Sequence, residues 1–335
     1  MRSLRRTVIT AAALLMVGSV AMPAVAAAAD GGEDFTIKDP RITESSGLAA
    51  SRAHPGVYWT HNDQDEPRVF AVDSKTGETV ATITLKGVGK PRDMEAISVG
   101  PDGDVYVGDI GDNLGGSWDH VWIYRFPEPR ELKDATVRAT QYTVRYADGP
   151  RDAEALMVHP KTGRVYIASK REGGGGLYEG PERLASSGTN VFRRIGEVPW
   201  VTDGAFSPDG EELVLRSYFS ARGYAWTGGR LGADHAVSAP LQGQSESVTY
   251  TSDGRALMFG TEGEQSDVVR RELPGKGGDG DGGAAGSAQG SANGGASGTG
   301  GAGDMSGKQV AVPAGLLVAV AVVVFAVRAR RRGGR

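Results

Sequence analysis

The chain has 335 residues, 51 of them glycine and none of them cysteine, with a formal net charge of −4. Without cysteine there is no disulfide, thiolate metal site, iron–sulfur cluster or cysteine nucleophile, and the mild acidity excludes a strongly basic nucleic-acid binder. The charge is uneven: eight arginines (Arg2, Arg5, Arg6, Arg328, Arg330, Arg331, Arg332 and Arg335) sit at the two ends, so a total of −4 leaves −12 between them.

Residues 1–29 read as a signal peptide. Arginines precede an apolar run from Val8 to Val20, Pro23 ends it, and Ala24-Val25-Ala26 offers small residues for cleavage. An uncleaved anchor is the alternative. Arg5-Arg6 resembles a twin-arginine signal that the following Thr7-Val8-Ile9 match poorly, which leaves the twin-arginine and general secretory routes both open.

Residues 30–274 alternate short β-type runs with Gly, Pro, Asp and Asn, and no helical period persists. A repeat runs through them. Its units open at Ser46, Glu95, Glu154, Thr202 and Glu246, between 44 and 59 residues apart. Each opener leads to a turn, such as Pro101-Asp102-Gly103 or Pro208-Asp209-Gly210, and then to a second strand, such as Val105-Tyr106-Val107. Asp-Gly between β-branched or aromatic runs marks a hairpin. Units of this length each hold about four strands, which is one propeller blade. The expected fold is therefore an all-β propeller of five blades, or six with one degenerate. Phe35-Thr36-Ile37-Lys38 is expected to add the outer strand that the short last unit lacks.

Residues 275–308 hold 15 Gly in 34 positions and read as a disordered tether. Residues 309–327 read as a transmembrane helix, since Val310 to Val327 contains no charged residue. The arginines of residues 328–335 then place that tail in the cytoplasm and the propeller outside. The membrane is thus an expected partner.

In a propeller the first strand of each blade lines the central channel. The openers Ser46, Glu95, Glu154, Thr202 and Glu246 then share one level, with three carboxylates facing two hydroxyls. Three buried like charges demand protonation or a counter-ion, and oxygen donors suit Ca2+. The alternative partners are backbone amides of neighbouring strands or channel water. The loops after the second strands carry further polar groups: His61, Asn62 and Asp63; Asp109, Asp112 and Asn113; Lys170 and Arg171; Arg216; and Glu262. Among them Lys170, Arg171 and Arg216 suit an anionic group, with Asp112, Asn113 and Glu262 as further ligand contacts. Asp63, Asp109 and His61 are candidate bases toward water. Ordinary turn chemistry explains each of these residues singly.

Ser46-Gly47-Leu48, Trp59-Thr60-His61-Asn62-Asp63, Asp93-Met94-Glu95-Ala96, Gly108-Asp109-Ile110-Gly111-Asp112-Asn113, Glu128-Pro129 and Asp152-Ala153-Glu154-Ala155-Leu156 resemble a bacterial family of exported propeller-like proteins. That resemblance spans residues 40–265 and implies a fold rather than an activity. The opener set is also similar to that of the calcium-activated nucleotidases of the soluble apyrase type. Those are five-bladed propellers with Ser, Glu, Glu, Ser and Glu around an axial Ca2+, and Thr202 here stands where they have Ser. Two functions follow as expectations. One is a cell-surface binding module for a small anionic ligand, wall polymer or protein. The other is a Ca2+-dependent hydrolase of phosphate esters or anhydrides. A purely structural surface protein is a third.

Overall fold

The computed structural model describes residues 33–63 and 66–274. The expected signal peptide, tether, membrane span and basic tail lie outside these residues. Among the described residues no helix is long and apolar enough to cross a membrane.

Every regular element among the described residues is a strand. A short β1 (Phe35–Thr36) comes first. The first unit follows as β2 (Ser45–Ala50), β3 (Val57–Asn62), β4 (Arg68–Asp73) and β5 (Thr79–Lys86). The second holds β6 (Met94–Val99), β7 (Asp104–Asp109) and β8 (Val121–Pro127), then β9 (Ala135–Arg138) and β10 (Thr140–Tyr146). The third is β11 (Ala153–Val158), β12 (Val165–Ser169), β13 (Gly175–Glu179) and β14 (Thr189–Val198). The fourth is β15 (Asp203–Phe206), β16 (Glu212–Arg216), β17 (Ala221–Thr227) and β18 (Arg230–Val237), and the fifth is β19 (Ser245–Tyr250), β20 (Ala256–Thr261) and β21 (Asp267–Glu272).

Apart from β9, the strands within each unit pair as an antiparallel meander. The first strands of the units contact one another in turn: β2 with β6, β6 with β11, β11 with β15, β15 with β19, and β19 with β2. The arrangement is therefore propeller-like, with its innermost strands closed on themselves. Two outer contacts go beyond the simple repeat. β9 pairs parallel with β5, extending the first sheet to five strands. β10 pairs parallel with β14, fusing the second and third units into one eight-stranded sheet. Both cover edges that would otherwise expose unpaired backbone groups.

Closure uses the start of the chain. β1 pairs antiparallel with β21, setting Phe35 opposite Val268. Phe35, Ile37, Ile42, Tyr58, Phe70, Met258 and Val268 then form one buried cluster between the first and last units.

The hairpins confirm that the five units share a register. Each is closed by one backbone bond at its turn: Ser51 N to Val57 O, Gly100 N to Asp104 O, His159 N to Arg164 O, Ser207 N to Glu212 O, and Thr251 N to Ala256 O, at 2.8–2.9 Å. Five residues before these amides stand Ser46, Glu95, Glu154, Thr202 and Glu246. The turns need a left-handed residue, which Gly103 (φ 75°) and Gly210 (φ 66°) supply.

Replacing Phe35 by Ala should cost about 3 kcal/mol, because the cavity opens at the closing seam. Urea unfolding of the variant beside the parent measures this.

The acidic mouth of the ring

Four of the inner strands slip register at the opener. Pairing breaks between Ser45 and Leu48, Met94 and Ala96, Ala153 and Ala155, and Ser245 and Ser247. In the fourth unit Thr202 precedes β15, and its amide bonds to the Arg216 carbonyl at 2.8 Å. Such a bulge re-aims the side chain of the extra residue. All five openers are at most 1% exposed. They lie at the end of the ring opposite the hairpin turns. The loops leaving each second strand and those entering each first strand reach this same end, which we call the mouth.

One carboxylate cluster stands out. Asp63, Asp93 and Glu95 each place one oxygen within 4.8 Å of the others, and all three are buried. Asp63 follows β3, Asp93 precedes β6 and Glu95 lies within it. Ser46 Oγ donates to Glu95 Oε2 at 2.9 Å. Asn113 Nδ2 donates to Asp93 Oδ2 at 2.9 Å. Oxygens in a Ca2+ shell lie 2.3–2.6 Å from the ion, so donors across it stand about 5 Å apart. The cluster fits that span.

Asp109 shapes this site without belonging to the cluster. It accepts the Asp93 amide at 2.8 Å, the Arg92 amide at 3.1 Å and the Tyr124 hydroxyl at 2.5 Å. Burial pushes its carboxyl up, against the pull of these bonds. Gly111 allows the next loop to approach, since a Cβ there would lie 2.6 Å from Asp93 Oδ2 and 2.8 Å from Glu95 Cγ. Asp112 holds the same loop by accepting the amides of Ser117 and Trp118, and its own amide donates to Asp152 Oδ1 at 2.8 Å.

The other openers do not join the cluster. Glu154 Oε1 lies 2.5 Å from Lys170 Nζ, a pair with side chains 0% and 4% exposed. Glu246 is likewise not in that carboxylate group. Among the described residues this is the one such carboxylate group; of the expected carboxylate ligands Glu95 is in it, and Ser46 touches it through its bond. The reason lies at the rim. Asp63 and Lys170 hold equivalent places, their amides bonding to the Glu44 and Asp152 carbonyls at 3.1 and 3.0 Å. The first unit adds a carboxylate there, whereas the third adds an ammonium that neutralises its own opener. Asp93 was not among the expected site residues. The repeated Asp-x-Glu of Asp93-Met94-Glu95 and Asp152-Ala153-Glu154 was its signal.

The groups expected to meet an anion are already engaged. Arg216 lies 1% exposed in the seam between the fourth and fifth units. One guanidinium nitrogen donates to the Ser247 and Gly260 carbonyls at 2.5 and 2.8 Å, and the other to Gln242 Oε1 at 3.0 Å. Burial lowers its pKa to about 10. Lys170 is paired with Glu154, and only Arg171 is exposed. His61 is fully buried, with Nδ1 3.2 Å from the Asn62 carbonyl and Nε2 against Gly47. Burial lowers its pKa to about 4, so its imidazole is neutral. Glu262 accepts from Gln244 Nε2 at 2.9 Å. Asp152 is half-buried at the rim, and desolvation, then Glu154, push its carboxyl up to about 7.

No protein-family model matches the chain, and no curated protein matches it. Solved structures do. A gluconolactonase from Xanthomonas campestris is 15% identical with a TM-score of 0.46, over 72% of this chain and 89% of its own. A Thermus thermophilus protein described as a putative oxidoreductase (glucose dehydrogenase) is 15% identical with a TM-score of 0.41, over 69% and 84%.

Two outcomes follow from this geometry. Gly111→Ala should destabilise the fold by about 2 kcal/mol through overpacking at Asp93, read by thermal unfolding. Asp152 keeps its proton to about pH 7 when folded, against an ordinary carboxyl value of 3.8. Its contribution to stability is therefore complete below that lower value and is lost as pH rises toward 7. In chelator, Asp152→Asn should lose less melting temperature than the parent between acidic and neutral buffer.

Proposed function

We propose that the chain is an exported five-bladed propeller that binds a divalent cation in its mouth and serves as a membrane-tethered binding module at the cell surface. Asp63, Asp93 and Glu95 carry the reading. Three buried carboxylates at this spacing repel unless a proton or cation is shared. An all-oxygen donor set favours a hard ion, and Ca2+ accepts this irregular, loop-borne geometry more readily than Mg2+. The cation is held by these three carboxylates, with Ser46 and Asn113 orienting two of them. The closed cycle of five inner strands supports the blade count.

A hydrolytic reading rests on Asp152. A rim carboxyl that titrates near neutrality, close to a cation site, is suited to proton transfer during attack of water on a phosphate ester or anhydride.

The test uses full-length protein in lipid nanodiscs, stripped with chelator and titrated with Ca2+ in a calorimeter. Saturable heat and a melting rise of about 5 °C at a large excess of Ca2+ are expected, and Glu95→Gln should abolish both. No heat and no shift would remove the cation. Ca2+-dependent phosphate release from a panel of esters and anhydrides, lost in Asp152→Asn, would establish the hydrolase.

A further inference from the structure

The axis of the ring has a second opening, at the end away from the mouth. A cavity of about 240 Å3 sits there among the hairpin turns. Every unit contributes to its wall: Ala50 from the first, Val99 from the second, Val158 from the third, Phe206 from the fourth and Tyr250 from the fifth. The cavity meets solvent at the turns, where Ala50, Val99 and Phe206 are only half-buried.

Among the described residues that line it, Arg52 alone carries a charge. The Arg52 amide donates to Glu128 Oε2 at 3.3 Å, whereas its exposed guanidinium has no partner among the described residues. The carboxylates at this end are occupied elsewhere. Glu128 is 9% exposed and accepts Ser51 Oγ at 2.5 Å and Trp59 Nε1 at 2.7 Å. On the turns, Asp102 accepts from Arg125 at 2.6 Å, Asp209 from Ser207 Oγ at 2.5 Å and Asp253 from Thr251 Oγ1 at 2.6 Å. None of these four acids lines the cavity. Ser98, which does, supplies a second donor. Its Oγ accepts the Val158 amide at 3.2 Å, so its own proton is left for another acceptor.

Size and charge together define the occupant. An apolar cavity of about 150 Å3 takes up benzene, so this one has room for a ring that carries a head group. Arg52 and Ser98 both donate, which selects a head group that only accepts. A planar carboxylate meets a guanidinium with two parallel bonds. Inorganic phosphate leaves the apolar wall in water, a hydrocarbon leaves the guanidinium unmatched, and an organic cation is repelled by it. We infer that the turn end of the ring binds a small organic carboxylate with an apolar body. The inference rests neither on the cation nor on the mouth.

The probe is para-fluorobenzoate, followed by fluorine NMR against full-length protein in zwitterionic nanodiscs with chelator present. The corresponding benzyl alcohol and benzylamine are the neutral and cationic controls, and protein-free nanodiscs correct for partition into lipid. Saturable binding of the carboxylate is expected with a Kd of about 1 mM or tighter, and at least about tenfold tighter than either control. Arg52→Gln should weaken it about tenfold and leave the melting temperature unchanged, because the side chain is exposed. Ala50→Phe should abolish binding by filling the cavity, whereas Arg171→Gln at the mouth should leave it intact. No saturable binding, equal binding of the controls, or full affinity in Arg52→Gln would overturn the inference.

Discussion

A ring of sheets lasts only while its first and last members stay joined. Here the join is β1 against β21, backed by Phe35, Ile37 and Ile42 packed on Tyr58, Met258 and Val268. Each inner strand is flanked by two others, so no unit can rotate without disturbing its neighbours. Closure therefore sets the inner strands of neighbouring units side by side, close enough for Ser46 Oγ on β2 to reach Glu95 Oε2 on β6. The electrostatics of the mouth are a consequence of that confinement.

The openers meet different surroundings. Ser46 supplies a hydroxyl to Glu95, and Lys170 supplies a charge to Glu154. Asp63 instead brings one more carboxylate to Glu95, with Asp93 arriving on a loop that Asp109 holds by two amides. The result is an acidic pole on the first and second units and a neutralised one on the third. Arg216 fills a structural place, stitching two inner carbonyls across the seam of the fourth and fifth units. A buried guanidinium is tolerable there because oxygen acceptors replace its lost water.

Much of the architecture was legible in the chain. Hairpin signals such as Pro208-Asp209-Gly210 specify local backbone geometry, so their spacing carried over directly into strands. The opener alignment holds through every hairpin, Thr202 included. The parallel pairings of β9 with β5 and β10 with β14 were not legible, because both join segments with no turn signal between them. Asp93 is not marked by the repeat, because it stands two residues before the opener Glu95.

The sequence by itself determined the strand-and-turn repeat, its register and the acidic residues available at each unit, because turn chemistry and alternation act between near neighbours. Only the tertiary structure decided which carboxylates converge and which are neutralised. That outcome depends on how far each side chain reaches across the ring and on what the adjacent unit places beside it. Asp63, Asp93 and Glu95 meet from two units, whereas Glu154 meets a lysine from its own, and no local rule distinguishes the two before the ring is closed.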